Sequence, residues 1–495
     1  DKDAGAAFLK YKDFKPYVDY FNSMEDENIA QAVPNARASQ WMEENIPLFE
    51  CSQKNFEEMY YYRWWTLRKH IKETPVGYGM TEFLVNRSYA DKYNLIACAI
   101  GHHIYESRWL RNPEYLNQII HTWYRGNEGG PMAKMTKFSS WNADAVLGRY
   151  MVDGNKEFLL DMVKDLEAEY ARWEKTNRLS NGLYWQGDVQ DGMEESISGG
   201  RRKQYARPTI NSYMYGNAKA LSLIGIMTGD EGMAMKYGLK ADSIKTLVQD
   251  KLWNTDHHFF ETMRGDASAE VREAIGYIPW YFNLPDASSQ YDVAWKEVMD
   301  EKGFSAPYGL TTAERRHPEF RTHGVGKCEW DGAIWPFASA QTLTAMANFM
   351  NNYPQTVLTD SVYFHQMERY VESQHHRGRP YIGEYLDEVT GYWLKGDQER
   401  SRYYNHSTFN DLMITGLIGL RPRMDNTVEV NPLIPEGKWD YFCLDNVLYH
   451  GRNLTILWDK DGSRYQRGKG LHIYVDGKEV RHADTLTRVL CENVL

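Results

Sequence analysis

The chain has 495 residues, 42% of them hydrophobic, and carries a formal net charge of −11. A chain of this length and composition can bury a large core, so we expect a globular protein and not a disordered one. The negative charge argues against nucleic-acid or anionic-membrane partners, because clustered lysine and arginine bind such surfaces. A neutral or modestly charged substrate fits better.

Apolar residues recur at intervals of three and four in a series of segments, which predicts helices. These segments are 57–72, 89–105, 113–125, 141–151, 156–177, 208–228, 231–252, 333–351, 356–373 and 404–418. The loops between them, such as 126–134 and 375–396, are rich in glycine, aromatic and acidic residues. Helical hairpins with functional residues in alternate connections predict a mainly α fold, an (α/α)6 barrel with its loops at one mouth.

The pattern of apolar and polar residues changes after about residue 421. Apolar and polar residues alternate in TVEVNPL, NLTILW and GLHIYVDGKEV, and turn signals stand at Asp459–Gly462 and Asp476–Gly477. This pattern predicts a small antiparallel β module. We therefore expect three parts: an N-terminal extension over 1–50 that packs on the barrel, a catalytic barrel over 51–420 and a β module over 421–495.

Aromatic residues make up 14% of the chain, including 16 Trp and 35 Tyr. Surplus flat, amphipathic rings often line a site, and sugars are their common ligands. The five cysteines are widely spaced and odd in number, which predicts buried thiols and neither a metal knuckle nor a disulfide framework. No apolar run approaches the roughly 20 residues that cross a bilayer, so we expect no membrane span.

The most informative segment is YWQGDVQDGMEES at 184–196, where four carboxylates share a glycine-containing loop with Trp185. The carboxylates are Asp188, Asp191, Glu194 and Glu195. Crowding beside an indole can raise the pKa of one carboxyl and keep it as a proton donor, while the ring stacks on a sugar. The alternative interpretation of such a loop is a solvated acidic cap of a helix.

A second constellation, YIGEYLDEVTGYW at 381–393, places Glu384 between Gly383 and Tyr385. An inverting glycosidase needs one protonated carboxyl and one ionised carboxylate, separated by about 6.5–9.5 Å. Glu384 is therefore a natural partner for a donor in the first loop. A lone glutamate in a loop can also be merely solvated.

The segment CEWDGAIWP at 328–336 supplies possible walls for a sugar site. Trp330 and Trp335 could stack on a sugar while Asp331 accepts hydrogen bonds from hydroxyls. Equally, Asp331 could lie near a helix N-cap and Trp335 could be buried. Arg63, Trp64 and Trp141 carry the same ambiguity between pocket and core.

Three motifs now resemble those of the six-hairpin glycosidases related to trehalase, processing glucosidase I and mannosylglycerate hydrolase. GMEES is similar to their G-M-D-N-S signature, DGAIWP to their W-x-G-x-x-W-P sugar-binding loop, and GEYLDEVTG to their E-Y/N-Y-x-x-x-T-G segment. The resemblance covers about 55–420, with the motifs in order. The GLRPR and EVNPLIP segments resemble the β module that closes many such enzymes.

This resemblance implies that Glu194 is the general acid and Glu384 the general base. The family usually has aspartate at the first position, so Asp191 stays a competitor for the donor role. The sequence departs from the family at YYNHSTFND (403–411), where His406 replaces an indole. The sugar specificities of those relatives are therefore not carried over.

Other chemistries lack sequence support. The chain has no HExxH, GxxxxGK[ST] or GxSxG motif and no GxGxxG after a strand, which removes the usual signals of zinc proteolysis, nucleotide binding and α/β-hydrolase chemistry. Adjacent histidines on a helix point about 100° apart and make poor two-ligand sites. We expect no metal and no redox cofactor.

The sequence thus predicts an exo-acting, inverting glycoside hydrolase that releases a terminal sugar from a plant or bacterial oligo- or polysaccharide. Its predicted sugar-contacting residues are Arg63, Trp64, Trp141, Trp185, Trp330, Asp331, Trp335, Tyr385 and His406. One rival is a polysaccharide lyase that uses Tyr404, Asn405 and His406 on the same scaffold, and another is a non-catalytic glycan-binding protein. A glycan substrate favours a periplasmic or extracellular location, and no oligomeric state is predicted.

Overall fold

A computed structural model describes residues 8–495. Its main feature is six helical hairpins, each made of an outer helix and a following inner helix. The inner helices are Ile100–Ser107, Asn142–Asp153, Pro208–Thr228, Ile278–Tyr281, Pro336–Asn352 and Phe409–Leu412, the last extended by a π-helical segment over Met413–Leu417. Each inner helix packs on the next and the sixth packs on the first, so they close a ring. The predicted (α/α)6 barrel is confirmed.

The outer helices are amphipathic and cover this ring. They are Lys54–Arg68, Pro113–Arg125, Val163–Asn177, Glu231–Leu247, Ser289–Asp292 and Asp360–Ser373, with a further short helix at Lys156–Asp161. Pro113–Arg125 shows the pattern, since Leu116, Ile119, Ile120 and Trp123 lie at helical spacing and are buried. The helix Lys54–Arg68 differs because Lys15–Ser23 and Ala38–Asn45 pack on its outer side.

Long connections lead from each outer helix to its inner helix, whereas the return connections are short. The long connections are 69–99, 126–141, 178–207, 248–277, 293–335 and 374–408. All of them enter the N-terminal end of an inner helix, so they meet at one mouth of the barrel. Two of the inner helices start with a proline, Pro208 and Pro336, whose fixed φ and missing N–H suit the first helical position.

Short strands brace these long connections. They form pairs or small sheets at Ile71–Thr74 with Gly77–Met80, Trp185–Gln186 with Tyr205–Ala206, Met263–Arg264 and Ala267–Ser268, Trp253–Asn254 with Phe259–Phe260, Ser305–Ala306 with Gly309–Leu310, and His375–His376 with Arg379–Pro380. Hydrogen-bonded backbone in a loop limits its motion and holds side chains at the mouth in fixed positions.

The C-terminal module is built on a five-stranded antiparallel sheet. Its strands, in spatial order, are Leu48–Cys51, Tyr441–Tyr449, Arg452–Asp459, Gly470–Val475 and Lys478–Ala483. A three-stranded sheet of Leu420–Arg421, Val428–Val430 and Val489–Cys491 adjoins it. Asp476 and Gly477 both have positive φ, 50° and 80°, as the predicted two-residue hairpin turn requires.

The first strand of that sheet, Leu48–Cys51, comes from the segment before the barrel. It pairs with Tyr441–Tyr449, so that Leu48 lies opposite Asp445. The predicted extension over 1–50 thus contributes a strand to the β module besides packing on the barrel. Trp439 joins the two parts by packing edge-on against Phe56, at 5.2 Å between ring centroids.

Two predicted helices differ from the observed ones. The helix predicted over 89–105 begins only at Ile100, because Tyr93 and Asn94 adopt positive φ values of 63° and 62° that a helix excludes. The helix predicted over 156–177 is divided at Met162. Within residues 8–495, no helix has both the length and the apolar character needed to span a bilayer.

Candidate active site

The long connections enclose a cavity of about 460 Å³ at the mouth of the barrel. Five of the six connections contribute to its wall. The lining residues are Glu82, Phe83, Tyr89, Ile96, Cys98, Phe138, Gly192, Glu194, Cys328, Trp335, Phe337, Glu384, Arg400, Tyr404 and His406. The fold therefore brings Glu194 and Glu384, 190 positions apart in the chain, to a single cavity.

Glu194 reaches the cavity because the chain turns sharply just before it. Gly192 has a φ of 72°, and a Cβ at this position would lie 3.2 Å from the Sγ of Cys98, so glycine suits it on both counts. Met193 is buried and anchors the turn. Burial raises the pKa of Glu194 to about 7, and the nearby carboxylates of Asp188 and Glu384 act in the same direction. Near neutral pH this carboxyl can hold a proton and donate it.

Glu384 lies in the opposite electrostatic environment. Its Oε1 accepts hydrogen bonds from Ser401 Oγ at 2.8 Å and from Arg400 Nη2 at 3.1 Å. The Nζ of Lys395 lies 3.9 Å from its Oε2. Two cations and a hydroxyl group therefore surround this buried carboxylate. The cavity thus contains one carboxyl suited to give a proton and one suited to take a proton from water.

A third carboxyl, Glu82, also lines the cavity, although it is not among the predicted site residues. It is 2% exposed, and the thiol of Cys98 lies 3.4 and 3.5 Å from its two carboxyl oxygens. Burial raises the pKa of Glu82 to about 8, and the charges of Glu384 and Glu194 contribute to the same rise. The segment GMTEF around it carries no motif, so only the fold reveals its place.

Aromatic rings form one wall of the cavity. Trp335 lines it and is stacked between Trp330 and Tyr385, with ring centroids 4.7 and 4.5 Å away. The indole N–H of Trp335 donates to the backbone carbonyl of Glu329 at 3.1 Å, which fixes the ring. Trp330 and Tyr385 do not themselves line the cavity; they support the ring that does. Because rings cover both of its faces, Trp335 is held rigidly as an apolar part of the cavity wall.

Two family models match this chain and identify the family to which it belongs. A family model, the mannosylglycerate hydrolase MGH1-like glycoside hydrolase domain, matches residues 92–407. The chain belongs to this family. A second model, the C-terminal domain of glycosyl hydrolase family 65, matches residues 420–482. The resemblance seen in the sequence is thereby confirmed, and the chain carries a glycoside hydrolase domain.

Solved structures agree with this assignment of the fold. A GH63 mannosylglycerate hydrolase from Thermus thermophilus, 11% identical, matches 72% of this chain and 99% of its own with a TM-score of 0.52. A GH78 rhamnosidase of Bacillus sp. GL1, 12% identical, matches 87% of this chain and 41% of its own with a TM-score of 0.55. At these identities the likeness concerns the fold alone.

A protein named sialidase is far more similar. It is 83% identical over the whole of this glycoside hydrolase chain, with a TM-score of 0.99. This chain, however, spans only 46% of that protein. The similarity therefore concerns less than half of the protein that bears the name.

The structure places Asp191, the competing donor, away from the cavity. Asp191 forms a buried ion pair with Arg207, whose Nε lies 2.7 Å from Oδ2, and Thr209 Oγ1 and Ser139 Oγ also donate to it. A carboxylate with these partners is held in place, and Asp191 is not among the residues that line the cavity. Asp191 thus holds the loop that carries Glu194, which favours Glu194 as the donor.

Five predicted sugar contacts also lie outside the cavity wall. Arg63 is buried and pairs with Glu106 at 3.0 Å. Asp331 accepts backbone N–H bonds at 2.8 and 3.1 Å within a turn. The remaining three are tryptophans: Trp64, in the core; Trp141, buried among the inner helices; and Trp185, partly exposed on a strand. Arg63 and Trp64 lie on the first outer helix, which is covered on both sides and leaves no face free for a sugar.

The segment 403–406 is divided between cavity and core. Tyr404 and His406 line the cavity and contact each other, with ring centroids 3.8 Å apart. Burial lowers the pKa of His406 well below its usual value, so this ring is uncharged. Asn405 instead points into the protein, where its Oδ1 accepts from Arg63 Nη2 at 2.7 Å and its Nδ2 donates to the Thr81 carbonyl at 3.0 Å.

One group of side chains in the described range is spaced as metal ligands could be. It comprises His257, Glu261 and Glu270, on the short strands of the fourth long connection. The imidazole bonds to Glu261 at 2.7 Å through Nδ1 and to Glu270 at 3.1 Å through Nε2. These contacts satisfy the three groups without an ion, and none of them lines the active-site cavity.

Proposed function

We propose that this chain is an exo-acting, inverting glycoside hydrolase that releases one terminal, uncharged sugar. In this proposal Glu194 donates a proton to the leaving oxygen and Glu384 removes a proton from the attacking water. The observation that carries it is the opposite environment of the two carboxyls in one cavity. Glu194 has a raised pKa through burial, whereas Glu384 is held by Arg400 and Lys395.

The shape of the cavity supports exo action. Loops from five connections contribute to its wall, an arrangement that suits the end of a glycan better than its middle. Trp335 adds a rigid aromatic group to this wall. The water that attacks would approach from the side of Glu384, opposite to the leaving group.

The charges of the cavity support an uncharged sugar. Among the described residues that line it, Arg400 is the one lysine or arginine, and Arg400 is engaged with Glu384 at 3.1 Å. An anionic sugar needs a free cation, since a carboxylate is recognised by charge-assisted hydrogen bonds. Sialic acid, suggested by the name of the longer relative, is therefore not transferred to this chain.

The lyase alternative loses one of its required groups. A lyase on this scaffold would use Asn405 to neutralise the uronate carboxylate, but both ends of the Asn405 amide are bonded within the protein. The cavity also contains a pair of carboxyls in different electrostatic surroundings, which a lyase does not need. Hydrolysis therefore gives a role to more of the residues that line the cavity than a lyase reaction does.

The test is a screen of aryl glycosides and plant oligosaccharides, with NMR of the first anomer formed. We expect release of one monosaccharide of inverted configuration, no hydrolysis of an aryl sialoside, and no product that absorbs in the ultraviolet as an unsaturated uronide does. The variants Glu194→Gln and Glu384→Gln should lose turnover. Glu195→Gln is the matched control, because Glu195 is adjacent in sequence but lies 3.7 Å from Lys327 and outside the cavity wall. A product of retained configuration would disprove the inverting mechanism.

A further inference from the structure

Glu82 is a buried carboxyl of the active-site cavity that the proposed acid and base leave without a task. It lies in the first long connection, before the first inner helix, and lines the same cavity as Glu194 and Glu384. Neither a motif nor a family resemblance marks it. Burying a carboxyl that is only 2% exposed costs free energy, so we expect Glu82 to have a function in the site.

The backbone around Glu82 is held rigidly. Its carbonyl oxygen accepts the N–H of Asn405 at 2.9 Å, and the carbonyl of the preceding Thr81 accepts the Asn405 amide at 3.0 Å. Asn405 is held in turn by Arg63, which pairs with Glu106. This chain of contacts fixes the position of the Glu82 side chain against the cavity, as a group that orients a ligand requires.

The surroundings of Glu82 favour its uncharged form. No lysine or arginine of the described residues lies within ion-pair distance of it, and its side-chain neighbour is the thiol of Cys98. The titratable groups facing it across the cavity are Tyr89, Cys98, Glu194, Cys328, Glu384, Arg400, Tyr404 and His406. Of these only Arg400 is cationic, because burial keeps His406 uncharged, and Arg400 is bonded to Glu384. At neutral pH Glu82 therefore presents an O–H donor and a carbonyl acceptor.

We propose that Glu82 is a sugar-positioning residue, which donates a hydrogen bond from its uncharged carboxyl to a hydroxyl oxygen of the sugar bound beside Glu194. This inference rests on the proposed function and deepens it. A sugar hydroxyl that enters a water-excluding cavity must regain a partner, and a neutral carboxyl can both give and accept a hydrogen bond. Ionisation of Glu82 removes the donor and adds a negative charge next to Glu194 and Glu384.

The test separates Glu82 from the proton donor by working in an inactive background. Binding of the monosaccharide that the wild-type enzyme releases is measured by calorimetry with Glu194→Gln at pH 6 and pH 9.5. We expect the affinity to fall at least tenfold at the higher pH, as Glu82 ionises. In the double variant Glu194→Gln/Glu82→Gln the amide keeps an uncharged donor, so the affinity should be the same at both pH values.

Kinetics of single variants provide the second readout, with the aryl glycoside that the enzyme cleaves. At pH 6, Glu82→Ala should lose about ten- to hundredfold more kcat/KM than Glu82→Gln, since in the alanine variant a buried hydroxyl of the sugar lacks its partner. Above pH 8 the wild-type log(kcat/KM) should fall with a slope approaching −2, and Glu82→Gln with a slope of −1. If Glu82→Ala does not fold, the pH profile of Glu82→Gln and the binding measurement still test the inference.

Three results would overturn the inference. They are a pH-independent affinity in the Glu194→Gln background, equal losses of activity in Glu82→Gln and Glu82→Ala, and a loss in Glu82→Gln that an activated leaving group restores. The last result would make Glu82 the proton donor. Failure of the proposed function has a different signature, because it would appear as a wild-type enzyme that cleaves no glycoside or a Glu194→Gln variant that keeps full turnover.

Discussion

The proton-donor role of Glu194 makes a quantitative prediction about pH. With a pKa of about 7, the donor is roughly 90% protonated at pH 6, 10% at pH 8 and 1% at pH 9, so its ionisation alone should lower kcat/KM about tenfold per pH unit above 7. Replacement by glutamine removes the transferable proton while keeping the shape. We expect Glu194→Gln to lose about 10²–10⁴-fold in activity on substrates with a poor leaving group, and its residual activity should not show this alkaline fall.

The assay uses aryl glycosides whose leaving groups differ in acidity. A dinitrophenolate leaves without protonation, so the Glu194→Gln variant should cleave that substrate at close to the wild-type rate, and a methyl glycoside hardly at all. Glu195→Gln should behave like the wild type on both substrates. Equal losses on the two leaving groups would refute the assignment, because they would show that Glu194 supports the fold or the sugar and not the departing oxygen.

The same raised pKa predicts that Glu194→Gln, although less active, is more stable than the wild type at alkaline pH. The folded-state pKa of Glu194 lies above its ordinary value of 4.5, so the stability it allows is complete below pH 4.5 and is lost as pH rises through 7. The loss is up to about 3 kcal/mol, an upper limit because the side chain keeps some contact with solvent. Urea unfolding should find Glu194→Gln more stable than the wild type at pH 8 and about equal at pH 4.5. Equal stability at pH 8 would contradict the burial argument.

Three further substitutions test the rest of the site. Asp191→Asn leaves Arg207 buried without its partner and should lower the unfolding free energy by about 3–5 kcal/mol in urea titration; an unchanged midpoint would contradict its structural role. Arg400→Met removes the stronger cation from Glu384 and should lower kcat about ten- to hundredfold, with Arg377→Met, on the same connection but exposed, as the unaffected control. Trp335→Phe shortens the aromatic wall and should raise KM about fivefold with little change in kcat, and a change in kcat alone would argue against contact between this ring and the sugar.

The architecture was accessible from the sequence because its signals are local. The helices Pro113–Arg125 and Pro208–Thr228 have the bounds that apolar periodicity predicted. The inner helix Ile278–Tyr281 was not predicted, because four residues are too few to show a period. The premature start predicted before Ile100 has a similar cause, since periodicity does not register the positive φ of Tyr93.

The site was less accessible, because burial by distant segments decides the role of its residues. Glu194 and Glu384 stood out through the order of three motifs along the chain. Glu82 did not, since its uncharged state arises from loops that follow it by up to some 300 residues. Arg63 was predicted as a sugar contact because its helix carries aromatic and charged residues typical of a pocket. N-terminal helices cover the outer side of that helix and the barrel covers its inner side, so Arg63 is buried.

The strand Leu48–Cys51 has a consequence for how the protein can reach its folded state. This strand pairs with Tyr441–Tyr449, roughly 400 residues later in the chain, so it cannot find its partner until most of the polypeptide has been synthesised. During translation it presents an unpaired edge that can pair with other chains. A version truncated after the barrel would keep that edge open permanently. We therefore expect aggregation of such a truncated chain, whatever the stability of its helices.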